Sequence, residues 1–181
     1  MLVQQLIEAE VAPAIYKLGI TDTEINIDSI EENANASLSL AQQARRNINI
    51  FTQNLDSELY DNADFVMALS QLALRDNRTI IRILVHDSMQ AIKKEHRLLN
   101  LARSMQGSVF IRNPSRLYQH IRSSYMVADS LGYIYRNRPH RHNYDATVNF
   151  MSPRRAATLD ENFMEVWEQS TVDRDIKRLY I

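Results

Sequence analysis

Eight arginines fall between positions 112 and 155 (Arg112, Arg116, Arg122, Arg136, Arg138, Arg141, Arg154 and Arg155), together with three histidines, no lysine and only two acids, Asp129 and Asp145. A guanidinium offers a planar fork of donors that grips phosphate or carboxylate through two hydrogen bonds, which an ammonium cannot do. The block therefore points to an anion recognised by geometry as well as by charge. Arg112, Arg122, Arg136, Arg138, Arg141 and His142 are the candidate anion-binding residues. The competing reading pairs Arg112 and Arg122 with Asp87 or Asp129 and leaves the loop from Arg136 to His142 as solvated surface.

Other chemistries have weaker support in the sequence. His140 and His142 have the spacing of two metal ligands, with Asp145 and His120 as further donors, but no third ligand is convincing, so neither a metal nor another cofactor is expected. His86 and Asp87 resemble an acid/base pair, yet neighbouring strand residues point to opposite faces. His96, at a helix start, reads as a cap or packing residue. Phe163 and Trp167 read as core, and Tyr133 with Tyr135 would offer a stacking platform only on an exposed strand face. With three glycines in the chain, Gly19, Gly107 and Gly132, there is no glycine-rich phosphate loop.

Composition narrows the frame that must hold these residues. The chain has 181 residues, 45% of them hydrophobic, which suits one domain with a proper core. The absence of cysteine excludes a disulfide framework and fits a reducing compartment. Gln4, Gln5, Glu8 and Glu10 interrupt the first apolar residues, so neither an export leader nor a membrane span is expected, and the protein reads as cytoplasmic. The net charge of −1 hides an asymmetry: residues 1–40 carry −6 and the rest +5. An acidic arm over residues 1–37 thus precedes a basic body over residues 38–181. The arm either folds over the basic face or serves as a solvated leader or self-association helix.

Periodicity supplies the elements. Leu2, Leu6 and Ile7 begin a helical stripe that Pro13 interrupts, and a polar stretch to about Asn35 reads as part ordered. A helix through Ala44 leads to Asn47-Ile48-Asn49-Ile50-Phe51, which alternates as a strand does. Asp61 or Asn62 caps a helix with Phe65, Leu69 and Leu72 on one face, and the apolar run from Ile80 to Val85 suits a strand covered on both sides. A second helix bearing Leu98, Leu101, Ala102 and Met105, closed by Gly107, leads to the strand Val109-Phe110-Ile111. Tyr125–Ala128 and Gly132–Tyr135 form two strand segments bent around Asp129-Ser130. Thr158-Leu159-Asp160-Glu161 reads as the capping box of a last helix with Leu159, Phe163, Val166 and Trp167 on its buried face. Two strand–helix–strand crossovers imply an α/β fold with a mostly parallel sheet flanked by helices.

The order of these elements resembles one half of the phospholipase D superfamily, and more narrowly a bacterial branch of phospholipase D-like domains that lacks the catalytic motif. Ile50 to Asp61 is similar to that branch's first strand and loop, and Ile81-Arg82-Ile83-Leu84-Val85-His86-Asp87 to its second strand. His96-Arg97-Leu98-Leu99 with Leu101-Ala102-Arg103 resembles the following helix, and Phe163 to Ser170 the closing helix. The likeness covers about Arg45 to Ile181. Active members carry His-x-Lys with an Asp five residues past the Lys; the His attacks the phosphodiester while the Lys neutralises phosphate oxygens. Here Asp129 stands at the Asp position, which places Ser124 at the Lys and Arg122 at the His. A shift of two residues brings His120 toward the nucleophile position only by giving up the register of Asp129.

The resemblance and the arginines together imply a non-catalytic phosphate-binding domain, a degenerate phospholipase D-like half whose arginine-rich cleft and loop bind RNA or DNA and which works as a homodimer. The alternative is a protein-interaction or regulatory module that meets an acidic protein or an acyltransferase-type partner. A residual phosphodiesterase is the third reading.

Overall fold

The computed structural model describes residues 16–139 and 143–172. Strand β1 (Ile25–Ile27) leads into helix α1 (Ile30–Gln43). Ser29 starts this helix: its hydroxyl accepts from the Glu32 N–H at 3.2 Å, and the Glu32 carboxylate accepts from the Ser29 N–H at 3.3 Å. These reciprocal bonds satisfy donors that a helix N-terminus leaves free. Strand β2 (Asn47–Thr52) follows, then α2 (Ser57–Tyr60) and α3 (Ala63–Arg75), then strand β3 (Ile80–Val85). Asn62 caps α3 by accepting from the Phe65 N–H at 2.7 Å. Helices α4 (Met89–Lys93) and α5 (Arg97–Ser104) lead to strand β4 (Val109–Arg112). A 3-10 turn, Arg116–Tyr118, precedes strands β5 (Ser124–Ala128), β6 (Gly132–Arg136) and β7 (Ala146–Asn149), and helix α6 (Pro153–Glu168) closes the described chain.

The seven strands form one sheet in the order β1-β7-β6-β5-β2-β3-β4. The two crossovers expected from the sequence are present, and β2–β3 and β3–β4 pair in parallel. The sheet as a whole is nevertheless mostly antiparallel, which corrects the expected mostly parallel arrangement: β5 runs against β2, β6 against β5, β7 against β6 and β1 against β7. The cause lies in the connections. Parallel neighbours need a long crossover, and among the paired strands only β2–β3 and β3–β4 are joined through helices. Asp129 and Ser130 both hold positive φ, 54° and 56°, and the Leu131 N–H donates to the Ala128 carbonyl at 3.0 Å. Two successive left-handed residues make a tight hairpin turn whose twist suits adjacent antiparallel strands.

Two apolar layers cover the sheet. Ile48, Ile50, Ile81, Ile83, Met126 and Ile134 pack under α1, α3 and α5, while Phe51, Leu84, Tyr125, Val127 and Tyr133 pack under α6 with Phe163 and Trp167. Helix α6 begins at Pro153, five residues before the expected cap, because proline suits a first helical turn. Thr158 sits inside the helix, its hydroxyl bonded back to the Arg154 carbonyl at 3.1 Å. Helix α5 likewise ends at Ser104, ahead of Gly107. The boundary expected between residues 37 and 38 falls inside α1. Asn33 is buried and its side-chain amide donates to the Tyr144 carbonyl at 2.7 Å, and β1 pairs with β7, so this stretch belongs to the packed body. No described helix is long and apolar enough to cross a membrane.

Candidate anion-binding face

Parallel β2 and β3 end at Thr52 and Val85, and antiparallel β5 begins and β6 ends on the same side of the sheet. A cavity of about 470 Å³ opens there, lined by Asp56, Glu58, Lys94, His96, Ser124, Arg136 and Tyr144 among others. Ser124 and Arg136 are register partners and share the face of Met126 and Ile134, so both meet the α2 and α4 side.

Arg136 is deeply placed, 5% exposed, and is already engaged. One guanidinium nitrogen donates to the Asn143 carbonyl at 2.8 Å, another lies 3.7 Å from the Asp56 carboxylate, and the group stacks 4.7 Å above the Tyr144 ring. The Tyr144 hydroxyl donates to Glu58 at 2.8 Å. Burial, and then the Glu58 hydrogen bond and nearby carboxylates, push the Tyr144 hydroxyl well above the usual tyrosine range, while burial pushes neighbouring Tyr60 up to about 12. Arg136 therefore clamps the base of the loop between β6 and β7. In the cavity interior Asp56 is paired with Arg136 and Glu58 with the Tyr144 hydroxyl.

Exposed cations lie at this end of the sheet. Arg122, Arg138 and Lys94 are exposed, and among the described residues none of them is in an ion pair. Arg138 precedes Pro139, which forms part of the cavity wall. Arg141 and His142, with His140, lie outside the described residues. Arg122 sits in the loop before β5, where the Gln53 side-chain amide donates to the carbonyls of Ile121 at 3.3 Å and Ser123 at 3.0 Å. His86, at the end of β3, faces this loop; burial lowers its proton affinity, the Ile121 backbone opposes that, and Arg122 and His120 add to the lowering.

The other two candidates lie elsewhere. Asp129 is at the far end of β5, five residues from Ser124 and so roughly 16 Å away at the rise of a strand. Its carboxylate accepts from the backbone N–H groups of Arg45, Arg46 and Asn47 at 2.7, 2.8 and 3.0 Å, which ties the β5–β6 turn to the entry of β2. Arg112 follows Phe110 in strand alternation and lies on the α6 face, its guanidinium 4.5 Å above the Trp167 ring. Arg82 approaches the same ring at 5.9 Å; burial lowers its proton affinity, with Asp160 opposing and Arg112 adding to the effect. Arg112, Arg122 and Asp129 thus do not enclose one space. Arg122, Ser124, Arg136 and Arg138 do gather at one end of the sheet.

Sequence reasoning missed Lys94, Asp56 and Tyr144. Lys94 carried a signal, since Lys93-Lys94 is the last lysine pair before a long lysine-free stretch. Asp56 and Tyr144 carried none, because their partners are distant in sequence. His96 is the cap foreseen: its Nδ1 accepts from the Leu98 N–H at 3.2 Å, and burial lowers its proton affinity.

The model of a family described as a domain of unknown function, DUF7931, matches residues 29–179. No curated protein sequence matches. Among solved structures, TrmBL2, an archaeal chromatin protein whose structure shows a novel mode of DNA binding, aligns with a TM-score of 0.64 at 14% identity, over 95% of this chain and 60% of its own. This chain therefore spans less than two thirds of that protein. Nuc from Salmonella typhimurium, a phospholipase D family member, aligns with a TM-score of 0.61 at 17% identity, over 84% of this chain and 98% of its own. NucT from Helicobacter pylori aligns with a TM-score of 0.58 at 10% identity, over 83% and 99%. At these identities the likeness is one of fold, and the fold is phospholipase D-like.

Proposed function

The chain belongs to the family described as a domain of unknown function, DUF7931, and we propose that it binds the phosphate backbone of DNA or RNA without cleaving it. The observation that carries this reading is the set of exposed cations at one end of the sheet, Lys94 in the cavity wall, Arg138 next to wall residue Pro139, and Arg122 in the loop before β5, none of them in an ion pair among the described residues. Phosphate contacts of this kind supply most of the affinity of nucleic-acid binders and need no base recognition. The DNA binding of TrmBL2, which shares the fold, favours the same class of ligand.

Three features favour binding over turnover. No His-x-Lys occurs in the chain; Arg122 and Ser124 stand where the phospholipase D motif has its nucleophile and its lysine. A guanidinium stays protonated and cannot attack phosphorus. Asp129 is committed to three backbone donors away from the cavity. We include in the proposal a homodimer, since β4 ends the sheet with only the Asn113–Thr171 bridge beside it among the described residues.

Charge reversal tests the reading. The variant Lys94→Glu, Arg122→Glu and Arg138→Glu changes exposed residues and should keep the thermal midpoint, while its affinity for a 20-nucleotide single strand at low salt falls at least 100-fold. Wild type should release no product from a generic phosphodiester above the blank. Unchanged affinity in the variant, or turnover by wild type, would overturn the proposal.

A further inference from the structure

At the end of β3, three groups able to carry positive charge converge with no carboxylate among them. His86 is half-buried, edge-on to the Phe51 ring with centroids 5.2 Å apart, and it rests against the backbone of Ile121. The residues on either side of Ile121, His120 and Arg122, therefore bear on it. The neighbouring acid, Asp87, turns its carboxylate to the Met89 N–H at 2.9 Å. From β2 the ring meets Phe51, and among the described residues the charged groups that bear on it are Arg122 and His120. The Nε2 of His86 is buried with no hydrogen-bond partner among the described residues.

The loop that brings the other two groups is fixed in place. Gln53 holds both the Ile121 and Ser123 carbonyls, and His120 Nδ1 lies 2.9 Å from the Leu117 carbonyl. A carbonyl only accepts, so Nδ1 carries the proton, and the Nε2 of this exposed ring is a lone pair when His120 is neutral and a second donor when it is charged. Arg122 stands exposed two residues further on.

We propose that His120 Nε2 and the Arg122 guanidinium clasp one backbone phosphate, with His86 behind them, as a proton-dependent phosphate site. This rests on the nucleic-acid reading above and adds regulation to it: the site takes up protons as it binds. With no phosphate present, burial and the two neighbouring cations keep His86 neutral near pH 7. A bound phosphate supplies the missing negative charge and reverses that bias, so affinity climbs as pH falls toward the lowered range of the free His86 ring.

Calorimetry with a thymidine decamer lacking terminal phosphates, whose internal phosphates do not titrate between pH 5.5 and 8, reads this directly at constant ionic strength. Wild type should bind roughly 10-fold or more tightly at pH 5.5 than at pH 8, the factor for one proton taken up over one pKa unit. The double variant His86→Asn and His120→Asn should change less than 2-fold on acidification, and His120→Asn alone, on an exposed ring, should lose part of the response. A variant with His140→Asn and His142→Asn should keep it. Binding by wild type that is independent of pH, or a pH response that follows His140 and His142 instead, overturns the site alone. Absence of binding at both pH values removes the nucleic-acid reading and this site with it.

Discussion

Truncating Asp129 to alanine strips the shared acceptor from three backbone donors, those of Arg45, Arg46 and Asn47, and is expected to lower stability by on the order of 2 kcal/mol in urea denaturation. Asparagine keeps one acceptor oxygen and tolerates the positive φ of this turn, so Asp129→Asn should cost about half as much. Both variants should bind oligonucleotides as wild type does, which separates a turn-forming carboxylate from one in the binding face. His96 sets a pH dependence of stability. Its folded proton affinity lies below the unfolded value, so the unfolded chain takes up the proton first and stability is lost as pH falls below about 6.5 toward the lowered folded value. His96→Asn retains a side chain that can cap α5 and does not titrate, so its thermal midpoint should fall less than that of wild type between pH 7 and pH 5. An equal fall in both would show that His96 is not the titrating group.

Among the elements, β2 was legible in the sequence from its alternation, β3 from its apolar β-branched run, β4 as the short apolar run after a helix, and α3 because Asn62 stands one turn before Phe65. The outer strands were not legible. β7 reads Ala-Thr-Val-Asn and β1 has three residues, Ile-Asn-Ile; neither outranks a loop by pattern, and each is fixed by pairing with the other. Sheet direction was misjudged for a related reason, since helix-bearing crossovers announce parallel pairs while a hairpin turn at Asp129-Ser130 announces an antiparallel one only locally. Helix α6 was read with the right buried face but the wrong start, because Thr158 and Glu161 mimic a cap whose hydroxyl in fact bonds Arg154. Gly132 tests how tightly the β6 entry is packed. A Cβ there meets the Asn149 carbonyl at 3.0 Å and the Leu18 side chain at 2.6 Å, so Gly132→Ala should destabilise by about 1–3 kcal/mol through overpacking, as a lowered urea midpoint.

For the molecule as a whole, the sequence located the basic block but not its division. Strand alternation sends Arg112 to the α6 face beside Trp167 and Arg136 to the opposite face, and composition alone holds no record of which face an arginine takes. Burial divides them further: Arg136 is bound into a clamp with Asp56, Asn143 and Tyr144, while Arg122 and Arg138 remain at the surface. Binding that depends on such surface cations must weaken steeply with salt, because each neutralised phosphate releases counterions. The direct measurement is the affinity of the wild-type chain for a 20-nucleotide single strand between 50 and 300 mM salt. A contact at each of Lys94, Arg122 and Arg138 predicts a log–log slope of roughly −2 or steeper, at about 0.7 per phosphate for single strands. No binding at the lowest salt, or an affinity that stays flat as salt rises, would contradict a phosphate-binding role for this face.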